Sequence, residues 1–96
     1  MEVKWLRKAL NSLDQEAEYI AGEDPKAARD LVRKIDSLVS LLADNPALGH
    51  PGRLPGTREL VVLGTRYIIP YRVNSREQRI EILRVFHMAR KTPQHW

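Results

Sequence analysis

The apolar residues of this 96-residue chain pass from helical to alternating spacing between Asn45 and Arg58, and that change limits the fold more than any single motif. Before it, Leu6, Ala9, Leu10, Leu13, Ala17, Ile20 and Ala21 recur every three or four residues. Arg7, Lys8, Asn11, Asp14, Gln15 and Glu18 take the opposite side, which is the pattern of an amphipathic helix. Ala21 and Gly22 are placed to end it. In GEDPKAARDLVRKIDSLVSLLADNP, Asp24 suits an N-cap and Pro25 the first helical position, where a missing amide donor does no harm. Ala28, Leu31, Ile35, Leu38, Val39 and Leu42 form the apolar stripe of this second helix, and Asn45 before Pro46 stops it. The short link between the two predicts an antiparallel helical hairpin.

After the change, Arg58 to Leu63, Arg66 to Val73 and Arg79 to Phe86 are strand-length runs rich in Val, Ile, Tyr and Leu. Gly64-Thr65 and Asn74-Ser75-Arg76-Glu77 separate them, which predicts an antiparallel meander. Glu2 to Trp5 alternates as a short first strand. Tyr67, Ile69, Tyr71 and Val73 fall on one face of the middle strand, which is expected to meet the helices. Pro70 has no amide to give a ladder, so a bulge or unpaired edge is expected there. The order β-α-α-β-β-β predicts one α+β domain over residues 1–96, with the hairpin packed on one face of a twisted antiparallel sheet. The other face is expected to be polar, open or covered by a partner.

Composition narrows the chemistry. There is no cysteine, so disulfides, thiolate metal sites and thiol nucleophiles are excluded. MEVKWLRK has no hydrophobic signal region, and the expectation is a cytoplasmic protein. Residues 1–45 carry seven Lys or Arg against nine Asp or Glu, whereas residues 46–96 carry nine against three and all three histidines. Eight of those nine cations are arginine, whose planar fork holds phosphate or carboxylate in a bidentate way. His50 and Arg53 in GHPGRLPGTRELVV, Arg58, Arg72 and Arg84 on the strands, and His87 followed by Arg90 and Lys91 make up an inventory for metal-independent RNA cleavage. There a base takes the ribose 2′-hydroxyl proton, an acid protonates the leaving oxygen and arginines hold the phosphate. The plainer reading pairs Arg72 and Arg84 with Glu59 and Glu81, keeps Tyr67 and Tyr71 in the core and docks Trp96 on the body. The two histidines have no metal-ligand spacing, and neither a metal nor another cofactor is implied.

Trp5 with the helix after it, YIAGEDPKAA (19–28), LADNPALGHPGRLPGTRELVV (42–62), YIIPYRV (67–73) and EILRVFHMAR (81–90) together resemble the RelE/ParE superfamily of toxins from bacterial type II toxin–antitoxin systems. The resemblance implies a growth-inhibiting toxin neutralised by an antitoxin whose C-terminal segment wraps its surface; an acidic or amphipathic segment would suit the basic second half. RelE-like members cleave mRNA in the ribosomal A site, and ParE-like members poison DNA gyrase. The strand cations of the RelE type correspond here to Glu59, Val61 and Ile68, and Met88 falls near a further arginine. A histidine-using branch is matched roughly at His50 and His87, but its strand histidine and its acid correspond to Val62 and Arg66. The reading taken forward is a ribosome-dependent mRNA endonuclease with His87, His50 and Arg84 as catalytic groups and Arg53, Arg58, Arg72, Arg90 and Lys91 binding substrate. The alternative is a gyrase poison that acts by protein binding, through its helical hairpin and basic C-terminal stretch.

Overall fold

Trp5 is the last residue of a four-residue strand, and the chain turns into helix two residues later. In the computed structural model, which describes residues 1–96, the elements run β1 (Glu2–Trp5), α1 (Arg7–Ala21), α2 (Pro25–Ser40), a short 3-10 turn (Leu41–Ala43), β2 (His50–Pro51), β3 (Arg58–Val61), β4 (Tyr67–Asn74), β5 (Arg79–Ile82) and β6 (Phe86–His87). Asp24 caps α2 as its position suggests, its Oδ1 accepting the Ala27 N–H at 3.0 Å with Pro25 at the first helical position. Gly22 ends α1 in a right-handed conformation.

The sheet order is β1-β5-β4-β3-β2, with β6 paired to the first residues of β4. β1 runs parallel to β5, Val3 beside Ile80 and Trp5 beside Ile82; the remaining pairs are antiparallel. The helices cover the face carrying Leu60, Val62, Tyr67, Ile69, Tyr71, Ile80 and Ile82. Against it they set Ala9, Leu31, Ile35, Val39 and the turn residue Leu42, all buried in one cluster. The alternation of the middle strand and the stripe of the second helix therefore meet in the core, as their spacing predicts.

The structure departs from the expected meander in two places. His50 and Pro51 add a short strand that no apolar run announces, because its pairing depends on the backbone of Arg58 and Glu59 rather than on side chains. The run from Arg79 to Phe86 also divides. Tyr71 to Asn74 pair with Ile82 to Arg79, and Tyr67 and Ile68 pair with His87 and Phe86, so Ile69 and Pro70 oppose three residues, Leu83, Arg84 and Val85. This is the bulge expected at Pro70, which has no N–H to offer across the ladder. Leu83 N–H still reaches the Pro70 carbonyl at 2.9 Å. The Val85 N–H turns inward to Ser12 Oγ on α1, also at 2.9 Å, and that hydroxyl donates to the Ala9 carbonyl.

The far face of the sheet is not open. Ile68, Pro70, Leu83 and Phe86 are buried there, under the loop around Leu54 and Pro55 and the tail ending in Trp96. Trp96 docks edge-on against Phe86 with ring centroids 5.0 Å apart. Four apolar residues on that face require cover in water, and the chain supplies it itself.

Candidate functional site

The loop between Ala43 and Arg58 is held by side chains from the sheet. Tyr71, fully buried on β4, donates its hydroxyl hydrogen to the Pro46 carbonyl at 2.8 Å and accepts the Gly49 N–H at 2.9 Å. Arg58 donates from Nε to the Gly49 carbonyl at 2.8 Å and from Nη2 to the Ala47 carbonyl at 3.2 Å. A Cβ on Gly49 would stand 2.6 Å from the Glu59 carbonyl oxygen and 2.7 Å from the Tyr71 ring, so the backbone approach requires glycine. Gly56 turns the loop at φ +75°, and Thr57 closes it by accepting the Gly52 N–H on its carbonyl.

This mount carries His50 and Arg53 to Glu59. Glu59 is 2% exposed; its carboxylate accepts the Arg53 backbone N–H at 2.7 Å, with Arg53 Nε at 3.5 Å and His50 Nε2 at 4.0 Å. Arg53 also donates to Thr92 Oγ1 at 3.1 Å and lies 5.9 Å from the centre of the Phe86 ring. The structure thus brings His50, Arg53 and Glu59 together on the far face, with the tail.

His87 is elsewhere. Glu59 pairs with Pro70 and with His50, whereas His87 pairs with Tyr67. Cross-strand partners share a face and residues 67 and 70 point to opposite ones, so His50 serves the far face and His87 the helix face. The His87 ring meets Tyr67 edge-on at 5.1 Å and lines a hollow with Tyr19 and Ile20 of α1. Arg90 crosses this hollow to Glu16, a buried carboxylate on α1, with Nη1 2.6 Å from Oε1 and Nη2 donating to Oε2 at 3.2 Å. The hydrogen bond to Glu16 raises the Arg90 pKa above the ordinary guanidinium value. Burial, with the Glu16 charge beside it, pushes the Tyr67 phenol up.

The other basic residues divide between paired and free. Arg72 donates Nε to Glu81 Oε1 at 2.6 Å and Arg79 donates to Oε2 at 3.1 Å. The Arg72 hydrogen bond, chiefly, holds the Glu81 carboxyl below its ordinary value. Arg84, in the bulge, and Lys91, in the tail, form no ion pair or side-chain hydrogen bond.

Residues 3–92 match the family model described as the ParE toxin of the type II toxin–antitoxin system parDE. The chain belongs to that family. The Sinorhizobium fredii (strain NBRC 101917 / NGR234) protein named "Putative toxin Y4kP" is 46% identical over 92 residues, 96% of this chain and 93% of that protein. A solved structure of the chromosomal ParDE system from P. aeruginosa superposes with a TM-score of 0.80 at 31% identity, over 91% of this chain and 95% of that one. The RelBE2 toxin–antitoxin complex from Mycobacterium tuberculosis gives 0.60 at 25% identity over 90% and 95%. The YoeB/ParE toxin from Agrobacterium tumefaciens gives 0.62 at 19% identity over 91% and 98%, a likeness of fold.

Within this ParE-family fold the sequence reading left several working residues out. Glu16 was legible in part: Ala9, Ser12, Leu13 and Ile20 set it on the buried side of α1, where a carboxylate needs a cation. Nothing in the order of residues pointed to Arg90 as that cation, 74 positions away. The Tyr71 hydroxyl, Ser12 and Thr92 likewise work through long-range partners that spacing does not reveal.

Proposed function

We propose that this ParE-family protein is the growth-inhibiting partner of an antitoxin and that it acts by binding a protein target, DNA gyrase in the mode the resemblance implies, without cutting RNA. The observation that supports this best is the placement of His50 and His87 on opposite faces of the sheet. Histidines on opposite faces do not favour an acid–base pair acting on one phosphate, which supports the binding reading over a nuclease built on His50 and His87. The arginines add to this. Arg53, Arg72 and Arg90 are committed to Glu59, Glu81 and Glu16, and Arg58 to loop carbonyls. The antitoxin in this reading carries an acidic or amphipathic C-terminal segment, which meets the basic half of the chain and the free cations Arg84 and Lys91.

The test is induction in cells without antitoxin, with plasmid supercoiling, the DNA-damage response and primer extension on translated mRNA read in parallel. Loss of supercoiling with intact message is the expected result. His50→Ala and His87→Ala should each keep their growth inhibition, whereas a catalytic acid or base would lose on the order of a hundredfold or more. Cuts within translated codons that vanish in either variant would establish the nuclease reading instead.

A further inference from the structure

The hairpin has a groove between α1 and α2 on the side turned away from the sheet. Its floor is Ala17, Ala28 and Val32; its rims carry Glu18 on α1 and Arg29 and Arg33 on α2. Asp14 precedes Glu18 by one turn and continues the acidic rim. None of Asp14, Glu18, Arg29 and Arg33 forms an ion pair within the chain, although neighbouring Lys26 and Asp30 do. One rim is therefore acidic, the other basic, and both are unsatisfied.

The levels of these charges along the hairpin decide what fits. Glu18 lies three residues before the end of α1 and Arg29 four residues after the start of α2, which puts them about 5 and 6 Å from the connecting turn. By the same rise Asp14 and Arg33 lie about 10 and 12 Å from it. A two-fold axis running along the groove, parallel to the helices, keeps every residue at its level and exchanges left for right. It lays the α1 of one copy antiparallel on the α2 of the other. Glu18 then faces the second copy's Arg29, and Asp14 faces its Arg33, each pair occurring twice.

We infer that the outer face of the hairpin is a self-complementary surface through which two copies of this chain associate as a four-helix layer, with the small residues of the two grooves against each other. The association is weak by construction. Helices of 15 and 16 residues side by side offer a footprint of roughly 450 Å² per copy, against about 800 Å² in a standard stable interface. The rim pairs are exposed and screened by salt.

Sedimentation equilibrium on the antitoxin-free protein, from micromolar to near-millimolar concentration, tests the surface. A monomer–dimer equilibrium is expected, shifted several-fold towards monomer by high salt. Glu18→Arg and Arg29→Glu should each weaken it about tenfold, and the double variant should recover most of the loss because the charges are exchanged across the axis. All of these positions are exposed, and far-UV circular dichroism confirms that the variants are folded. A monomer at every concentration, a dimer indifferent to either substitution, or a double variant as weak as the singles would each overturn the inference. None of these outcomes bears on gyrase or RNA, so the surface stands or falls apart from the proposed function.

Discussion

On the helix side of the sheet, Ile69 and the Tyr71 ring are closed over by the apolar side chains of Leu31, Ile35, Val39 and Leu42. On the far side, Ile68 and Pro70 are closed over by a loop and a tail held in place by Glu59, Arg53 and Thr92. The first cover is two helices whose apolar stripes would bury themselves against any sheet. The second is a small set of polar and edge contacts, several of which share Arg53. The contrast separates what makes the chain fold from what makes its surface.

Four substitutions would break or sharpen that contrast. Ile69→Ala leaves a void in the helix-side core and should cost about 2–5 kcal/mol in chemical denaturation. Tyr71→Phe keeps the core ring but strands the Gly49 N–H and the Pro46 carbonyl, for a loss of about 1–3 kcal/mol. Faster amide exchange confined to residues 46–53 would show that the damage stays in the loop. Trp96→Ala removes the edge contact with Phe86 and should cost about 0.5–1.5 kcal/mol. A loss from Trp96→Ala equal to that from Ile69→Ala would mean that the two faces are one cooperative core and would undo the contrast.

The smallest effect is electrostatic. Arg72 is half exposed, so Arg72→Met should cost no more than about 1 kcal/mol at neutral pH. Its pH dependence carries the information. The native Glu81 carboxyl titrates below its ordinary value of 4.5, so the stabilisation is fully present above that pH and is lost as pH falls through the lowered native value. Denaturation curves of the parent and Arg72→Met should therefore differ above about pH 5 and converge in stronger acid. A gap that persists there would place the contribution in packing of the arginine stem.

These differences also show why one face was legible in the sequence and the other was not. The stripe from Ala28 to Leu42 and the alternation from Tyr67 to Val73 are local patterns, and each names its own buried side. The cap at Asp24 and the bulge at Pro70 follow from single residues with fixed backbone chemistry, whereas the second helix ends earlier than Asn45–Pro46 suggests, at Ser40 with a 3-10 turn to Ala43. The far face depends on contacts between distant residues, Arg53 with Thr92 and Phe86 with Trp96, and the one helix-side feature that spacing hides, Arg90 with Glu16, is equally non-local. Three of the arginines that look like phosphate ligands in a list of residues, Arg53, Arg72 and Arg90, are in space counter-ions of the chain's own carboxylates, and Arg58 is bound to loop carbonyls. Strict alternation continued from Ile80 and Ile82 would have set His87 on the same side as Glu81, and so on the side of His50. The extra residue opposite Pro70 reverses that order.

The reversal is a matter of register. Which surface His87 serves is set by the one extra residue that the strand accommodates opposite Ile69 and Pro70. The same full-length strand paired without the bulge would bring Phe86 opposite Tyr67 and carry the histidine round to the face of His50 and Glu59, whereas loss of one codon between Leu83 and Val85 would let the strand pair straight and still leave His87 opposite Tyr67. In this fold a slip of register at the bulge, and not a shortening of the strand there, moves a functional group from one surface to the other.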